Sequence, residues 1–453
     1  MKVKITGSWD NFEVEGINFK ALSPSGHKKI IEEGAPHNYS PISGWIVLGT
    51  GDDDCTLKIK RDTADGEEVK DVLDFQTMYS VHNFGYGLSH MAISQEIKDA
   101  LENDVPAIPR AIDHLWHAPT LVAVKKFTGM DRVIMKSGGA EAVETACNIA
   151  SQFWHQKNGY KKNLKNGPFF GALNECFHGR TRHARSLSSS SSSRDGFGPL
   201  ISSVLHVPFG DIVSLKQLFA TMGKLMAGFI AEPIQGEGGV NIPPSGYLKQ
   251  VRELCTEYGV VLILDEIQTG FGRTGTDWAC EFEGVKPDLL VAGKAAGGGI
   301  LPVSFVAGTE EIMACIKPGT EGATWSAAPI QCIALICAIR ELCDNDLSNE
   351  SRRKGERFIN FLNYLKTLFP ESIVDVRGRG LFVGVETIHD GKKLSRALLE
   401  EGVWAKETGE TGKTLRFSPP LTITEEQLFE AAQALKRALR RLEAENAQYG
   451  LNI

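Results

Sequence analysis

Residues 260–275 read VVLILDEIQTGFGRTG, and residues 287–299 read PDLLVAGKAAGGG. Each segment contains a short apolar run that changes abruptly to glycine and polar residues. An apolar run of four or five residues that ends in a turn is typical of a strand buried on both faces of a parallel sheet. The sequence therefore predicts two nearby buried strands, each followed by a loop that carries polar side chains.

Further apolar runs alternate with helical patterns between residues 86 and about 335. They cover residues 132–135, 169–173, 227–231 and 304–307. Short apolar strands between helices indicate an α/β fold, with a mainly parallel central sheet that helices cover on both faces. The pattern becomes mixed after this region.

The chain divides by pattern into three parts. Residues 1–85 form an N-terminal segment with short strands, which we assign to a small domain. Residues 86–335 form the large domain, and residues 336–453 form a smaller α+β C-terminal domain. The six-serine run at 188–193 cannot bury apolar surface, so its composition predicts a flexible loop.

Composition narrows the class of protein. The 453 residues carry a net charge of −7, which argues against a nucleic-acid-binding surface. No apolar stretch approaches the roughly 20 residues of a membrane span. The N-terminus lacks the features of a secretory or organellar presequence, so we expect the protein in the cytoplasm. Nine cysteines without a Cys-x-x-Cys pair indicate reduced thiols, and His114 with His117 lacks a third ligand, so we expect no metal.

Lys294 and Asp265 suggest a specific cofactor. A lysine in an apolar, glycine-rich turn can form a Schiff base with an aldehyde. A carboxylate at the end of a nearby strand can pair with a protonated pyridine nitrogen. The spacing of these two residues favours pyridoxal phosphate over the alternative that Asp265 is a structural cap.

Two more loops contribute polar groups. Residues 137–146 read SGGAEAVETA, directly after one predicted strand and before helical spacing, which is typical of a phosphate-binding turn. Residues 232–239 read EPIQGEGG and follow another strand. Neither loop is a dinucleotide fingerprint or a P-loop. Taken singly, each is also explained as an ordinary glycine turn or a loop with solvated acids.

In this order, the motifs resemble the class III pyridoxal-phosphate aminotransferases of fold type I. The resemblance covers roughly residues 35–445. Within that family the chain is most similar to the ornithine δ-aminotransferases. The segments that carry this similarity are His37-Asn38-Tyr39, Tyr79-Ser80, Glu144 to Cys147, Phe177 to Thr181, Asp195 to Pro199, Glu232 to Gly236, Val251 to Cys255, Ile316 to Gly319 and Arg416 to Pro420.

The resemblance implies a cofactor site for pyridoxal 5′-phosphate. Lys294 would bind the cofactor and serve as the general base. Asp265 would pair with the pyridine nitrogen, Gln268 would bond the phenolic oxygen, and Phe177 would stack on the ring. Thr324 would reach the phosphate from a second subunit, which implies a homodimer with shared active sites. The remaining cofactor contacts would be Gly138, Gly139, Ala140, His178 and Glu232.

The resemblance also implies amino-acid and 2-oxo-acid substrates. Tyr39 and Arg180 would hold the α-amino and α-carboxylate groups of ornithine, and Tyr79 would line the pocket. Arg416 would bind the α-carboxylate of glutamate or 2-oxoglutarate. Glu237 would pair with Arg416 while ornithine reacts. A glutamate that neutralises an arginine removes its attraction for an α-carboxylate, so the δ-amine can be presented instead.

Several segments depart from the family pattern, namely residues 83–90, 136–139 and 326–329. They surround the expected pocket, so other amine donors stay open: acetylornithine, 4-aminobutyrate, a diamine, or an amine of specialised metabolism. A racemase or mutase of the same fold is a different alternative, and the Arg416–Glu237 combination argues against it. A binding protein without catalysis is disfavoured because Lys294 and Asp265 are both present.

Overall fold

A computed structural model of the chain describes residues 5–6, 13–14, 17–18, 22–34, 45–103, 105, 113–159 and 168–448. Tyr39, which the resemblance predicts to bind the substrate, lies outside the described residues. The strands are β1 (Ile5–Thr6), β2 (Glu13–Val14), β3 (Ile17–Asn18), β4 (Ile46–Thr50), β5 (Thr56–Thr63), β6 (Gly66–Asp74), β7 (Arg132–Lys136), β8 (Phe169–Leu173), β9 (Val204–Val207), β10 (Met226–Ala231), β11 (Val261–Asp265), β12 (Leu289–Ala292), β13 (Ser304–Gly308), β14 (Ile373–Arg379), β15 (Phe382–Thr387), β16 (Val403–Trp404), β17 (Lys406–Thr408) and β18 (Thr414–Phe417).

Helices of very different lengths separate these strands. None of the described helices is long and apolar enough to cross a membrane. The helices are α1 (Pro24–Gly34), α2 (Thr77–Ser80), α3 (Leu88–Glu102), α4 (His117–Thr128), α5 (Gly139–Lys157), α6 (Arg182–Leu187), α7 (Ser191–Arg194), α8 (Ile212–Met222), α9 (Tyr247–Tyr258), α10 (Glu310–Met313), α11 (Pro329–Asp344), α12 (Leu347–Leu368), α13 (Gly391–Glu400) and α14 (Glu425–Gln448).

The central sheet has seven strands in the order β7-β13-β12-β11-β10-β8-β9. The pairings from β12 through β9 are all parallel, and β13 runs antiparallel to both of its neighbours. This arrangement confirms the predicted α/β fold with a mainly parallel sheet. The edge strand β9 was not predicted, because its four residues include a histidine and are only partly buried.

The apolar run of β11 is continuous because both of its faces are covered. Leu262 and Leu264 pack into one hydrophobic cluster, while Val261 and Ile263 pack into another on the opposite face. Alternate side chains of a strand point to opposite faces, so a strand between two helical layers needs apolar residues at every position. The run therefore ends where the chain leaves the core, at Asp265.

Three smaller sheets accompany the central one. The first is antiparallel, in the order β14-β15-β18-β17, the second has the order β16-β6-β5-β4, and the third joins β1, β2 and β3. In the second sheet, Val403 pairs in parallel with Leu73, so strands from the two ends of the chain share a sheet. Domain boundaries at residues 85 and 335 remain a prediction.

The serine run contains buried residues and the start of a short helix at Ser191, whereas its composition predicted a flexible loop. Ser188 is fully buried, and its hydroxyl accepts the N–H of His178 at 2.9 Å and donates to Ala184. The Ser189 hydroxyl accepts the N–H of Glu175. The prediction considered only apolar burial, whereas these hydroxyl groups order the loop by satisfying backbone polar groups that water cannot reach.

The cysteines have free thiols, and eight of the nine are buried. Cys343, near the end of α11, is exposed, although the apolar pattern of that helix had suggested a core position. Burial raises the pKa of the Cys337 thiol to about 11, so this group stays protonated and unreactive at neutral pH.

Candidate active site

Asp265 and Lys294 meet at the carboxyl edge of the central sheet. Asp265 ends β11, Lys294 follows β12, and these strands are parallel neighbours with Asp265 opposite Val291. Parallel strands deliver their following loops to the same edge, which is where ligands bind in such sheets. Lys294 itself begins a 3₁₀ turn in the left-handed region, with φ of 49°.

A cavity of about 170 Å³ opens at this edge. Eight of the ten predicted cofactor residues line it, and Gly179 and Ile267 complete the wall. The eight are Gly139, Ala140, Phe177, His178, Glu232, Asp265, Gln268 and Lys294.

Asp265 is held by a donor at each oxygen. Its Oδ2 lies 2.7 Å from Nδ1 of His178, and its Oδ1 accepts the N–H of Ile267 at 3.1 Å. Although burial opposes the charged ring, the pKa of His178 lies well above 6.5 because Cys176 and the Asp265 carboxylate favour the imidazolium. Asp265 is therefore fixed in orientation by a partner at each carboxylate oxygen.

Glu232 ties two loops of the cavity together. One carboxylate oxygen accepts the N–H of Phe177 at 3.0 Å, and the other accepts the N–H of Gly236 at 3.3 Å. Burial raises the pKa of Glu232 to about 7, against the opposite influence of His178. The role of Glu232 in this geometry is to position Phe177 against the cavity.

The N–H group of Gly138, a predicted phosphate contact, is bonded within the glycine-rich turn itself. The Glu141 carboxylate accepts the N–H groups of Ser137 and Gly138, the latter at 2.9 Å. Gly139 and Ala140, which begin α5, line the cavity instead. The first N–H groups of a helix have no partner within it, so they can bind an anion. A side chain at Gly139 would place its Cβ only 3.0 Å from Ile267.

Arg416 and Glu237 form an ion pair beside this cavity. Nη1 of Arg416 lies 2.5 Å from Oε1 of Glu237, and Arg416 is 1% exposed. The Nε and Nη2 atoms of Arg416 are buried without a hydrogen-bond partner among the residues that the structure describes. Although burial raises it, the pKa of Glu237 is lowered by Arg416. The Nε and Nη2 atoms of Arg416 are therefore available to donate hydrogen bonds to a carboxylate ligand.

Tyr79 stands on an unusual stretch of backbone. The four residues Thr77–Ser80 all have positive φ, from 45° to 71°, so α2 is a left-handed turn. Such a conformation costs about 1–2 kcal/mol per residue. Asp74 supports the turn by accepting the N–H of Thr77 at 2.9 Å, and the Thr77 hydroxyl donates to the Ser418 carbonyl at 2.8 Å.

The turn places the Tyr79 side chain next to two basic side chains. The guanidinium of Arg416 lies 4.9 Å from the centre of the Tyr79 ring. The Lys406 amine lies at the same distance from the ring and donates a hydrogen bond to the Tyr79 hydroxyl. Lys406 is a site residue that sequence reasoning missed, because its place depends on how β17 pairs with β18.

Arg180 and Thr324 are two of the predicted residues that do not line the small cavity. Arg180 is exposed and lines a second cavity of about 990 Å³, together with Phe177, Glu237 and Lys406. Thr324 is exposed, and within the described part of the chain it lines neither of these cavities.

Known proteins resemble this chain over most of its length. Residues 58–439 match the family described as aminotransferase class-III. The chain is 38% identical to ornithine aminotransferase 2 of Staphylococcus aureus over 89% of this chain and 96% of that protein. It is 36% identical to the mitochondrial ornithine aminotransferase of Arabidopsis thaliana over 92% and 86%.

A solved structure shares the fold. The ornithine aminotransferase of Toxoplasma gondii superposes with a TM-score of 0.84 at 29% identity, covering 94% of this chain and 97% of that one. That structure is described as having partial occupancy of PLP at its active site. On the extent of the family match and of these similarities, the chain belongs to the class-III aminotransferases.

Proposed function

We propose that this enzyme transfers the δ-amino group of L-ornithine to 2-oxoglutarate. The products are glutamate and glutamate 5-semialdehyde, which cyclises to pyrroline-5-carboxylate. The observation that carries the proposal is the buried Arg416 paired with the partly exposed Glu237 at 2.5 Å. The ornithine aminotransferases of S. aureus and A. thaliana, at 38% and 36% identity, support the same substrate.

Pyridoxal 5′-phosphate is the cofactor, as in class-III aminotransferases, and the small cavity fits it. The cavity offers a helix N-terminus for a phosphate, an amine for an aldehyde and a carboxylate for a pyridine nitrogen. His178 Nε2 is also buried without a partner among the described residues, which leaves a polar atom for a ligand to satisfy. When bound, the cofactor supplies an electron sink for the substrate carbon that loses a proton.

Each residue has a distinct task in the proposed site. Gly139 and Ala140 would hold the phosphate with their N–H groups, and Phe177 would cover the ring. Gln268 would bond the phenolic oxygen, while Asp265 would hold the proton on the pyridine nitrogen. Together these contacts would hold the cofactor in one orientation beside Lys294.

Lys294 moves the proton in this proposal. Its amine would remove a proton from the substrate carbon as a general base. It would then donate a proton as a general acid. Burial lowers the pKa of Lys294 to about 8, although Glu237 has the opposite influence. A pKa near the working pH suits a group that must both accept and donate a proton.

Glu237 selects which amino group reacts. While Glu237 pairs with Arg416, the arginine does not attract the α-carboxylate of ornithine. The δ-amino end of ornithine therefore enters the site first. Arg180, at the wall of the larger cavity, would then hold that α-carboxylate. When Glu237 releases Arg416, the free guanidinium binds the α-carboxylate of 2-oxoglutarate or glutamate in a bidentate manner.

The decisive experiment follows each half-reaction separately. The visible absorbance of the bound cofactor should disappear on adding L-ornithine and return on adding 2-oxoglutarate. Acetylornithine, 4-aminobutyrate and putrescine at the same concentration serve as comparison donors. Loss of the absorbance with one of these, but not with ornithine, would assign a different donor.

Replacing Glu237 with alanine should weaken the discrimination between amino groups. Arg416 then stays unpaired and attracts α-carboxylates, so we expect glutamate to react about tenfold faster relative to ornithine, equivalent to about 1.4 kcal/mol. Single-turnover rates with each amino acid measure the ratio. Glu407→Ala is a matched control, because Glu407 lines the same larger cavity. An unchanged ratio in Glu237→Ala contradicts the selection by charge.

The rate at which the cofactor-free protein captures pyridoxal phosphate should rise with pH. Only the neutral amine of Lys294 attacks an aldehyde, and the pKa of Lys294 is lowered to about 8. The capture rate should increase about tenfold per pH unit below pH 8 and level off above it. Stopped-flow absorbance between pH 6 and 10 measures this profile. A rise that continues to pH 10 contradicts the lowered pKa.

We also propose a homodimer with shared active sites. Large apolar side chains are exposed on and around α3 and α4, and Trp325 is exposed beside Thr324. A second copy of the chain would cover this surface and bring Thr324 to the partner's phosphate site.

Sedimentation should give a dimer. Mixed dimers of Lys294→Ala and Thr324→Arg should recover activity that neither variant has alone, whereas no recovery argues against shared sites. The exposed side chains are Leu88, Met91, Leu115, Trp116, Val122 and Trp325.

The cytoplasm remains our proposal for the compartment. Nine free cysteines suit a reducing environment. Fractionation of cells that produce the tagged protein tests this assignment, and recovery with another compartment would contradict it.

A further inference from the structure

We propose that Lys406 receives the Glu237 carboxylate when that carboxylate leaves Arg416. The two cations would then share one counter-ion, which changes partner between the two halves of the reaction. This inference rests on the proposed alternation between ornithine and a 2-oxo acid, and it names the residue that makes the alternation possible.

Lys406 and Arg416 are direct neighbours across two strands. They are register partners in the antiparallel pair β17 and β18, so their side chains lie on the same face of the sheet. Like charges directly opposite each other are unfavourable unless a counter-ion lies between them. The Tyr79 ring, 4.9 Å from each cation, and the Glu237 carboxylate occupy this face.

The backbone of Glu237 is anchored to the strand that carries Lys406. Its carbonyl accepts the hydroxyl of Thr408 at 2.9 Å and the N–H of Gly409 at 3.0 Å. In the proposed change of partner, the Glu237 backbone would stay in place while its side chain rotates. The space is available, because this side chain is 33% exposed and lines the larger cavity together with Lys406.

The free-energy cost of an unpaired, partly buried charge explains why Glu237 needs a second partner. A partly buried carboxylate that loses its arginine is costly unless another cation replaces it. Three cations act on the Glu237 carboxylate, namely Arg416, Lys294 and Lys406. During the acceptor half-reaction, Arg416 would bind the substrate and the Lys294 amine would be engaged in proton transfer. Lys406 remains, and it need only exchange its hydrogen bond with the Tyr79 hydroxyl for the carboxylate.

A double-mutant cycle on ligand binding tests the inference. The probe is glutarate, a dicarboxylate that binds like 2-oxoglutarate but cannot react, and calorimetry on the holoenzyme gives its Kd. Lys406→Met should weaken glutarate binding about tenfold, because Glu237 then has no cation to move to. In a Glu237→Ala background, no carboxylate needs a new partner. Lys406→Met should there change the Kd less than about twofold.

Two further variants separate charge from packing. Lys406→Arg keeps the positive charge, so it should restore the Kd to within about threefold of wild type. Lys392→Met removes another lysine that lines the same larger cavity, and it should leave the Kd unchanged. A tenfold loss that persists in the Glu237→Ala background would instead mean that Lys406 binds the dicarboxylate directly. No loss in Lys406→Met alone would also overturn the inference.

The result can be separated from failure of the proposed function. Glutarate binding does not require ornithine to react, so the cycle decides the role of Lys406 by itself. The ornithine half-reaction of the wild type decides the donor. If both are as expected, Lys406→Met should raise the KM for 2-oxoglutarate more than it lowers kcat.

Discussion

Replacing Lys294 with alanine should reduce transamination by at least about 10³-fold, the upper range for losing a general acid–base group. The amine of Lys294 lines the small cavity together with Asp265, at the edge where parallel strands end. Without it, the cofactor loses its covalent attachment and no group in the chain's own site moves the substrate proton. Single-turnover rates with ornithine, in protein that is saturated with pyridoxal phosphate, measure the loss.

Two controls keep this experiment specific. Lys413→Ala removes an exposed lysine amine on the surface and should leave kcat unchanged. A small amine added to Lys294→Ala should restore part of the rate, since it can carry the proton that the side chain carried. Full activity of Lys294→Ala without added amine would mean that another group moves the proton, and the mechanism would be wrong.

Replacing Asp265 with asparagine should lower kcat about 10²–10³-fold, comparable to the loss of one preorganised electrostatic contact. Asparagine keeps the shape of the side chain, which bonds His178 and the N–H of Ile267. It removes the charge that keeps a pyridine nitrogen protonated. The cofactor's electron sink is then weaker, while the affinity for ornithine should change little. Steady-state kinetics separate kcat from KM, and the exposed Asp344→Asn is the control.

The same variant has a stability signature with a defined sign. The pKa of His178 is raised above 6.5 in the folded protein. Its pairing with Asp265 therefore stabilises the fold fully below pH 6.5, and this stabilisation is lost as the pH rises through the raised pKa. The Tm difference between wild type and Asp265→Asn should shrink towards high pH. A difference that is constant with pH would show that the imidazolium does not contribute.

The sequence predicted the sheet well because burial on both faces leaves a direct signature. A short, unbroken apolar run such as residues 261–264 is typical of a strand that is covered on both faces, and its end at Asp265 marks the edge where the site forms. The glycine-rich turn at residues 137–146 and the loop of Lys294 could be predicted in the same way, because each follows a short apolar run. Strand β9 escaped prediction because a half-buried edge strand has no such run.

Other parts of the site depend on contacts between distant segments. Lys406 acquires its place only because β17 pairs with β18, and the position of Tyr79 depends on Asp74 and Ser418. The ordered serine run likewise depends on hydrogen bonds to the loop around His178. Single-sequence patterns report local periodicity and burial, so they contain no information on these pairings.

The left-handed turn at Thr77–Ser80 has a consequence for the evolution of this enzyme. The residue that touches both substrate-side cations stands on backbone that opposes folding at each of its four positions. Mutations that relax the turn would raise heat tolerance and at the same time loosen Tyr79. We therefore expect donor preference and thermal stability to be coupled at this turn, so that a change that improves one affects the other.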